Sequence, residues 1–210
     1  SVVCSSDLVS SMMLYDPLRG FSFRLDAPLD MRMDPTTGLS AADWIADADE
    51  TEIADILFYN GDERFSRRIA RRLIEERRRE PIATTGRLAA IIEAAYPPPA
   101  RRRGRIHPAT RSFQAIRIHI NDELGQIRRL LDGIETLLKP GGRLACISFH
   151  SSEDRIVKNR FKELRLSGRY TVWTRKPMRA SLSEIDANPR SRSALLRAIE
   201  RTGATAGLRS

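Results

Sequence analysis

The chain is poor in cysteine, histidine and aromatic residues, and each shortage narrows the functions open to it. Among 210 residues there are 2 cysteines and 3 histidines. Cys4 and Cys146 cannot build a disulfide framework, and no CxxC pair or Cys/His cluster offers zinc spacing. The three histidines are scattered, so metal catalysis has little support. Aromatics make up 6% of the chain, too few for a platform on which successive bases of one strand stack. No apolar run approaches the roughly 18 residues of a membrane span. The opening residues carry no basic region followed by a long apolar core, so no secretory signal is read. A cytoplasmic protein without membrane contact is therefore expected. No GxGxxG follows a strand-like segment, which leaves a nicotinamide-dependent oxidoreductase poorly supported.

What is abundant is positive charge. Lys+Arg number 36 against 27 Asp+Glu, a formal charge of +9, which favours a polyanionic partner even though a solvated surface accounts for much of it. With 41% hydrophobic residues the chain has material for a core.

The opening segment reads as a short strand ending near Asp7, and residues 10–38 as a long irregular loop, a kind of segment that tends to be functional. Residues 40–96 carry helical periodicity. Ser40 caps the first helix, Thr51 opens a second, the third runs from Asp62 to Glu80, and Thr85 starts a fourth that stops at Pro97-Pro98-Pro99. A basic connector, Arg101-Arg102-Arg103-Gly104-Arg105, follows. One long helix is then predicted from Thr110, with Phe113, Ile116, Ile120, Leu124, Ile127 and Leu131 on its apolar face. Beyond the Lys139–Gly142 turn come a strand to Phe149, a helix from about Ser152, a strand at 170–174, a polar loop and a last apolar segment at 194–199. This order suggests part of an open doubly wound α/β sheet, with domain segments 1–38 and 101–210 around a helical insert at 39–100.

In such sheets ligands bind beyond the carboxyl ends of the strands. Two strand ends are polar: Asp7 with Ser10 and Ser11, and the run from Ser148 to Asp154. Helix capping by Ser151 or Ser152, with Glu153 and Asp154 at the positive helix end, explains the second run equally well. His150 at a strand end is a site candidate, whereas His119 beside an apolar stripe reads as structural. On the third helix, Arg67, Arg68, Arg71 and Arg72 read by default as a solvated face. The connector arginines have no acidic neighbours and are read as phosphate-binding, with His107 beside them.

Several blocks together resemble the bacterial ribosomal RNA small subunit methyltransferase H family. They are 16-DPLRGFSF-23, 28-PLDMRMDPT-36, 63-ERF-65 with 68-RIAR-71, 107-HPATRSFQA-115, 140-PGGRL-144, 147-ISFHS-151, 153-EDRIVK-158 and 188-NPRSRS-193, in family order. The resemblance implies S-adenosylmethionine-dependent methylation of the N4 of a cytidine in the decoding region of 16S rRNA. It also implies a class I methyltransferase (Rossmann-like) sheet with an inserted all-helical domain. By matching position Asp7 is a cofactor contact, and Met13 stands where the family has a cofactor-contacting glutamine. The family glycine after Leu8 is missing here. The glycine-rich Gly-Gly-His loop and the first three strands belong upstream of Asp7 in the family. The expectation is thus an N-terminally truncated sheet whose edge at residues 1–7 invites self-association.

The implied chemistry is demanding, because a cytosine amine is a weak nucleophile and needs in-line positioning and an N–H acceptor. Asp7, Ser10, Ser11 and His150 are the expected pocket residues. Arg101, Arg102, Arg103, Arg105, His107 and Arg111 are the expected contacts to rRNA of the small ribosomal subunit. A competing reading keeps only RNA binding: an impaired remnant that holds RNA without catalysis.

Overall fold

The computed structural model of the chain describes residues 2–5, 17–103 and 106–202. It is a mixed α/β structure of two compact units, Leu8–Glu123 and Ser1–Asp7 with Leu124–Ser210.

The first unit is helical: α1 (Ala41–Asp47), α2 (Glu50–Gly61), α3 (Ser66–Arg77), α4 (Thr85–Ala95), α5 (Pro98–Arg103) and α6 (Ala109–Ile120). Ser40 caps α1 as its sequence predicts. Its hydroxyl accepts from the Asp43 N–H, and the Asp43 carboxylate accepts from the Ser40 N–H. Three helix boundaries differ from the sequence pattern. α3 begins at Ser66 rather than Asp62, because Asp62 turns left-handed (φ 49°) and the buried Glu63 carboxylate accepts from the Phe65 N–H at 2.9 Å and from the Tyr96 hydroxyl. The prolines after Tyr96 end α4 as the sequence predicts, but a new short helix follows at once: Pro98 opens α5, since a helix's first residue needs no N–H. Arg101–Arg103 are accordingly helical rather than an extended connector.

The third difference is the largest. The predicted long helix breaks at Asn121-Asp122, with Asp122 left-handed (φ 47°), and resumes as α7 (Glu123–Asp132). Asn121 accounts for the break. Its Oδ1 accepts from the Met33 N–H at 2.6 Å, while its Nδ2 donates to the carbonyls of Met31 and Arg117, both at 2.8 Å. The side chain thus trades helical continuity for backbone groups of the 28–36 block, which lacks a ladder of its own.

Apolar faces of these helices close one core through Leu57, Ile69, Leu73, Leu88, Ile92 and Ile116. Gly61 lets α2 approach α6, since a Cβ there would lie 2.6 Å from the Arg111 carbonyl. Phe21, Leu29 and the fully buried Met31 join the same core, as do Ala109 and Phe113. For that reason the unit reaches beyond the segment 39–100 that periodicity suggested.

The second unit holds β1 (Val2–Ser5), most of α7, α8 (Ile134–Leu137), β2 (Arg143–Ser148), α9 (Ser151–Leu166), β3 (Tyr170–Val172), β4 (Met178–Arg179), α10 (Leu182–Ala187) and β5 (Leu195–Arg201). The strand order is β1-β2-β5-β3, with β4 also on β5. β1 and β2 are parallel; every other pair is antiparallel. The sheet is therefore mixed, one parallel pair with β5 antiparallel to its neighbours. Between β3 and β5 the chain offers β4, the 6-residue α10, which buries nothing, and a short 3-10 turn at Pro189–Ser193, whereas a parallel crossover needs a covering helix. β5 instead slots antiparallel between β2 and β3. α9 covers the sheet through Val157, Phe161 and Leu164. Among the described residues no helix is long and apolar enough to cross a membrane.

Replacing Asn121 with Ala strands the Met33 N–H and the Met31 carbonyl. A loss of about 1–3 kcal/mol in chemical denaturation is expected. Unchanged stability would show that the 28–36 segment does not depend on this side chain.

Candidate functional site

β1 and β2 run in parallel register, Ser5 opposite Ile147, so their carboxyl ends leave the sheet side by side. Beyond β2 the chain turns through Phe149 into α9. His150 itself is the N-cap: its backbone is extended and Nδ1 accepts from the Glu153 N–H at 3.4 Å. Capping therefore falls to the imidazole rather than to Ser151 or Ser152. Glu153, 4% exposed, completes the turn by accepting from the Phe149 N–H at 2.8 Å. His150 Nε2 lies 3.1 Å from Glu153 Oε1. Burial pushes the Glu153 carboxyl up, but hydrogen bonding and charge from His150, with the Phe149 and His150 N–H groups, outweigh it and hold the pKa below the ordinary value.

One turn further, Asp154 takes a bidentate pair of bonds from Arg197 on β5, at 2.7 and 2.9 Å. Both partners are largely sequestered, with side-chain exposures of 7% and 15%. Arg197 sits in an apolar strand, opposite Cys146 in the ladder. The pair therefore pins the first turn of α9 to the sheet, and with it the strand-to-helix turn that carries His150. The sequence placed Glu153 and Asp154 at the positive end of this helix, but the burial of Glu153 and the Arg197–Asp154 pair did not stand out. The available signal was a lone arginine inside the apolar 194–199 segment, which must find a buried counter-charge.

Of the other expected pocket residues, Asp7, Ser10, Ser11 and Met13 lie outside the described residues, as does Arg105. The remaining phosphate-binding candidates are in the helical unit. Arg101 is engaged locally, its guanidinium donating to the carbonyls of Tyr96 (3.1 Å) and Ala94 (2.9 Å) at the end of α4. Arg102 and Arg103 are described only as helical backbone. Arg111 donates to the Asp62 carbonyl at 3.4 Å. The His107 ring packs against Phe23, with centroids 4.7 Å apart, and its Nδ1 accepts from the Ala109 N–H at 3.2 Å. His119 is structural as expected: its ring packs at a tilt against Trp44, with centroids 4.8 Å apart, and burial pushes its pKa down.

The family model described as the MraW methylase family matches residues 3–202. This chain belongs to that family. It is similar to three curated family members, each called Ribosomal RNA small subunit methyltransferase H. The Acidobacterium capsulatum protein is 52% identical over 193 residues, covering 92% of this chain and 63% of the relative. The Synechococcus elongatus protein is 54% identical with the same two coverages. The Granulibacter bethesdensis protein is 52% identical over 209 residues, 91% of this chain and 61% of the relative. The chain thus spans somewhat under two thirds of the length of these methylases.

Because the Glu153 pKa is depressed in the fold, its contribution is fully present above the unfolded value near 4.5 and is lost as pH falls through the lower folded value. Glu153→Gln is expected to cost about 1–3 kcal/mol at pH 7, with the gap to the parent narrowing toward pH 3. Denaturant titrations at both pH values check this; a gap independent of pH would refute the charged role.

Proposed function

We propose that this chain serves S-adenosylmethionine-dependent methylation of small-subunit rRNA at the N4 of a cytidine. The observation that carries the reading is identity above 50% to relatives named as small-subunit rRNA methyltransferases, over more than nine tenths of the chain. The sheet supports it. A parallel pair followed by a strand inserted antiparallel is compatible with the later half of a class I methyltransferase sheet, and the helical unit follows β1 in the chain as an insertion would.

The strand ends suit the cofactor. In α/β sheets ligands bind beyond the carboxyl ends of parallel strands, and Ser148, Phe149 and His150 stand at that end of β2. Asp7 follows the last described β1 residue by two positions in the sequence. When bound, S-adenosylmethionine supplies an electrophilic sulfonium methyl. The residues of the chain have to present the cytosine amine in line and receive the charge it develops. Asp7 accepts the N–H in this reading, with Ser10 and Ser11 lining the approach and Met13 in the cofactor pocket. His150 acts by holding the turn, since its Nδ1 serves the cap. The target base must be unpaired and splayed, because its amine is inaccessible in a duplex.

Transfer of labelled methyl to small-subunit rRNA, counted with the parent chain and with Asp7→Ala, tests the reading. The parent is expected to transfer methyl, and the variant to lose about a hundredfold or more. RNA binding without cofactor binding in calorimetry would instead identify a chain that holds RNA and does no chemistry.

A further inference from the structure

Away from the strand ends, the second unit has a cleft of about 350 Å³ between α9 and the segment that follows β3. Lys158, Phe161, Lys162 and Arg165 line one side at spacings of three and four, so they share a face of α9. Arg175 faces them from the loop after β3, and Arg197 lies among the lining residues. The charge of Arg197 is already met by Asp154. The other four cations make no ion pair among the described residues, and no carboxylate lines the cleft. Elsewhere on the same helix the pattern differs: Arg160 pairs with Asp132 and with Glu163. Four exposed cations without carboxylate partners around an apolar floor repel one another, and a bound anion relieves that repulsion.

We infer that this cleft binds the phosphate backbone of the RNA substrate, with Lys158, Lys162, Arg165 and Arg175 as the contacts. The inference rests on the RNA-directed function proposed above and adds to it a contact surface on a different unit from the Arg101–Arg111 segment. RNA is the fitting partner because its backbone offers a row of anions to the row of cations along one helix face. The sequence pattern did not single out these residues, since lysines and arginines on a helix read as solvated until a second wall faces them.

The test is the salt dependence of binding to isolated small-subunit rRNA, measured for the parent chain, for Lys158→Gln/Lys162→Gln, and for Arg78→Gln/Arg79→Gln. The last variant removes two exposed charges from the helical unit. All four substituted residues are exposed, so unchanged circular dichroism and melting are expected. The slope of log affinity against log salt should fall in magnitude by about 1.4 to 1.8 in the cleft variant and much less in the control. An unchanged slope in the cleft variant overturns the inference, and so does an equal fall in the control, which would report net charge alone. Adenosine monophosphate, titrated in parallel, separates the two sources of phosphate: nucleotide binding lost in the cleft variant with RNA affinity intact would make this a mononucleotide site. In each of these outcomes, methyl transfer by the parent chain leaves the proposed function standing. Failure of the parent to bind RNA at all would remove both.

Discussion

A guanidinium buried in a sheet must be neutralised, and the second unit is arranged around that necessity. Arg197 projects from β5 onto the face that α9 covers, and Asp154 meets it with two hydrogen bonds. Breaking such a pair by removing one partner costs several kcal/mol, because the other charge remains desolvated. The bidentate geometry leaves little freedom in where α9 begins. The helix start in turn sets the turn after β2, where His150 caps and Glu153 is buried. The same anchoring orients the face of α9 that carries Lys158, Lys162 and Arg165. One ion pair thus relates the end of β2 to the cationic cleft.

The helical unit is held by a different device. Its 28–36 segment forms no strand or helix, and its backbone is satisfied by scattered bonds: Leu29 N–H to the Ala83 carbonyl, Met31 N–H to the Arg19 carbonyl, the Asn121 amide and the Arg19 guanidinium. Arg19 donates to the carbonyls of Arg32 and Met33 at 2.8 and 2.6 Å. Met31 is carried into the core in a left-handed conformation (φ 62°), which bulky residues adopt only under such constraint. This family block is therefore ordered by long-range polar contacts rather than by local propensity.

Much of this was legible in the residue pattern. The Ser40 cap, the helices from Ala41 to Ala95, the strand before Phe149 and the structural role of His119 follow from local rules of capping and periodicity. The family followed from ordered motifs rather than from charge. What local rules could not reach was the break at Asn121, because apolar spacing continued across it from Phe113 to Leu131. Nor could they reach the reversed β5, whose direction depends on what lies between two strands rather than on either strand.

By itself, then, the sequence determined family membership, the helical or extended character of most segments, and the excess of positive charge, all of which depend on residue identity and near-neighbour spacing. Only the tertiary structure decided which charges are spent within the fold and which are left over. Arg197, Arg101 and Arg117 look alike in sequence to Lys158, Lys162, Arg165 and Arg175. The first three are bound to Asp154, to the end of α4 and to Glu123, while the others face a cleft with no carboxylate. Pairing depends on what approaches through space, and a charge acts over a few ångströms of distance, not along the chain.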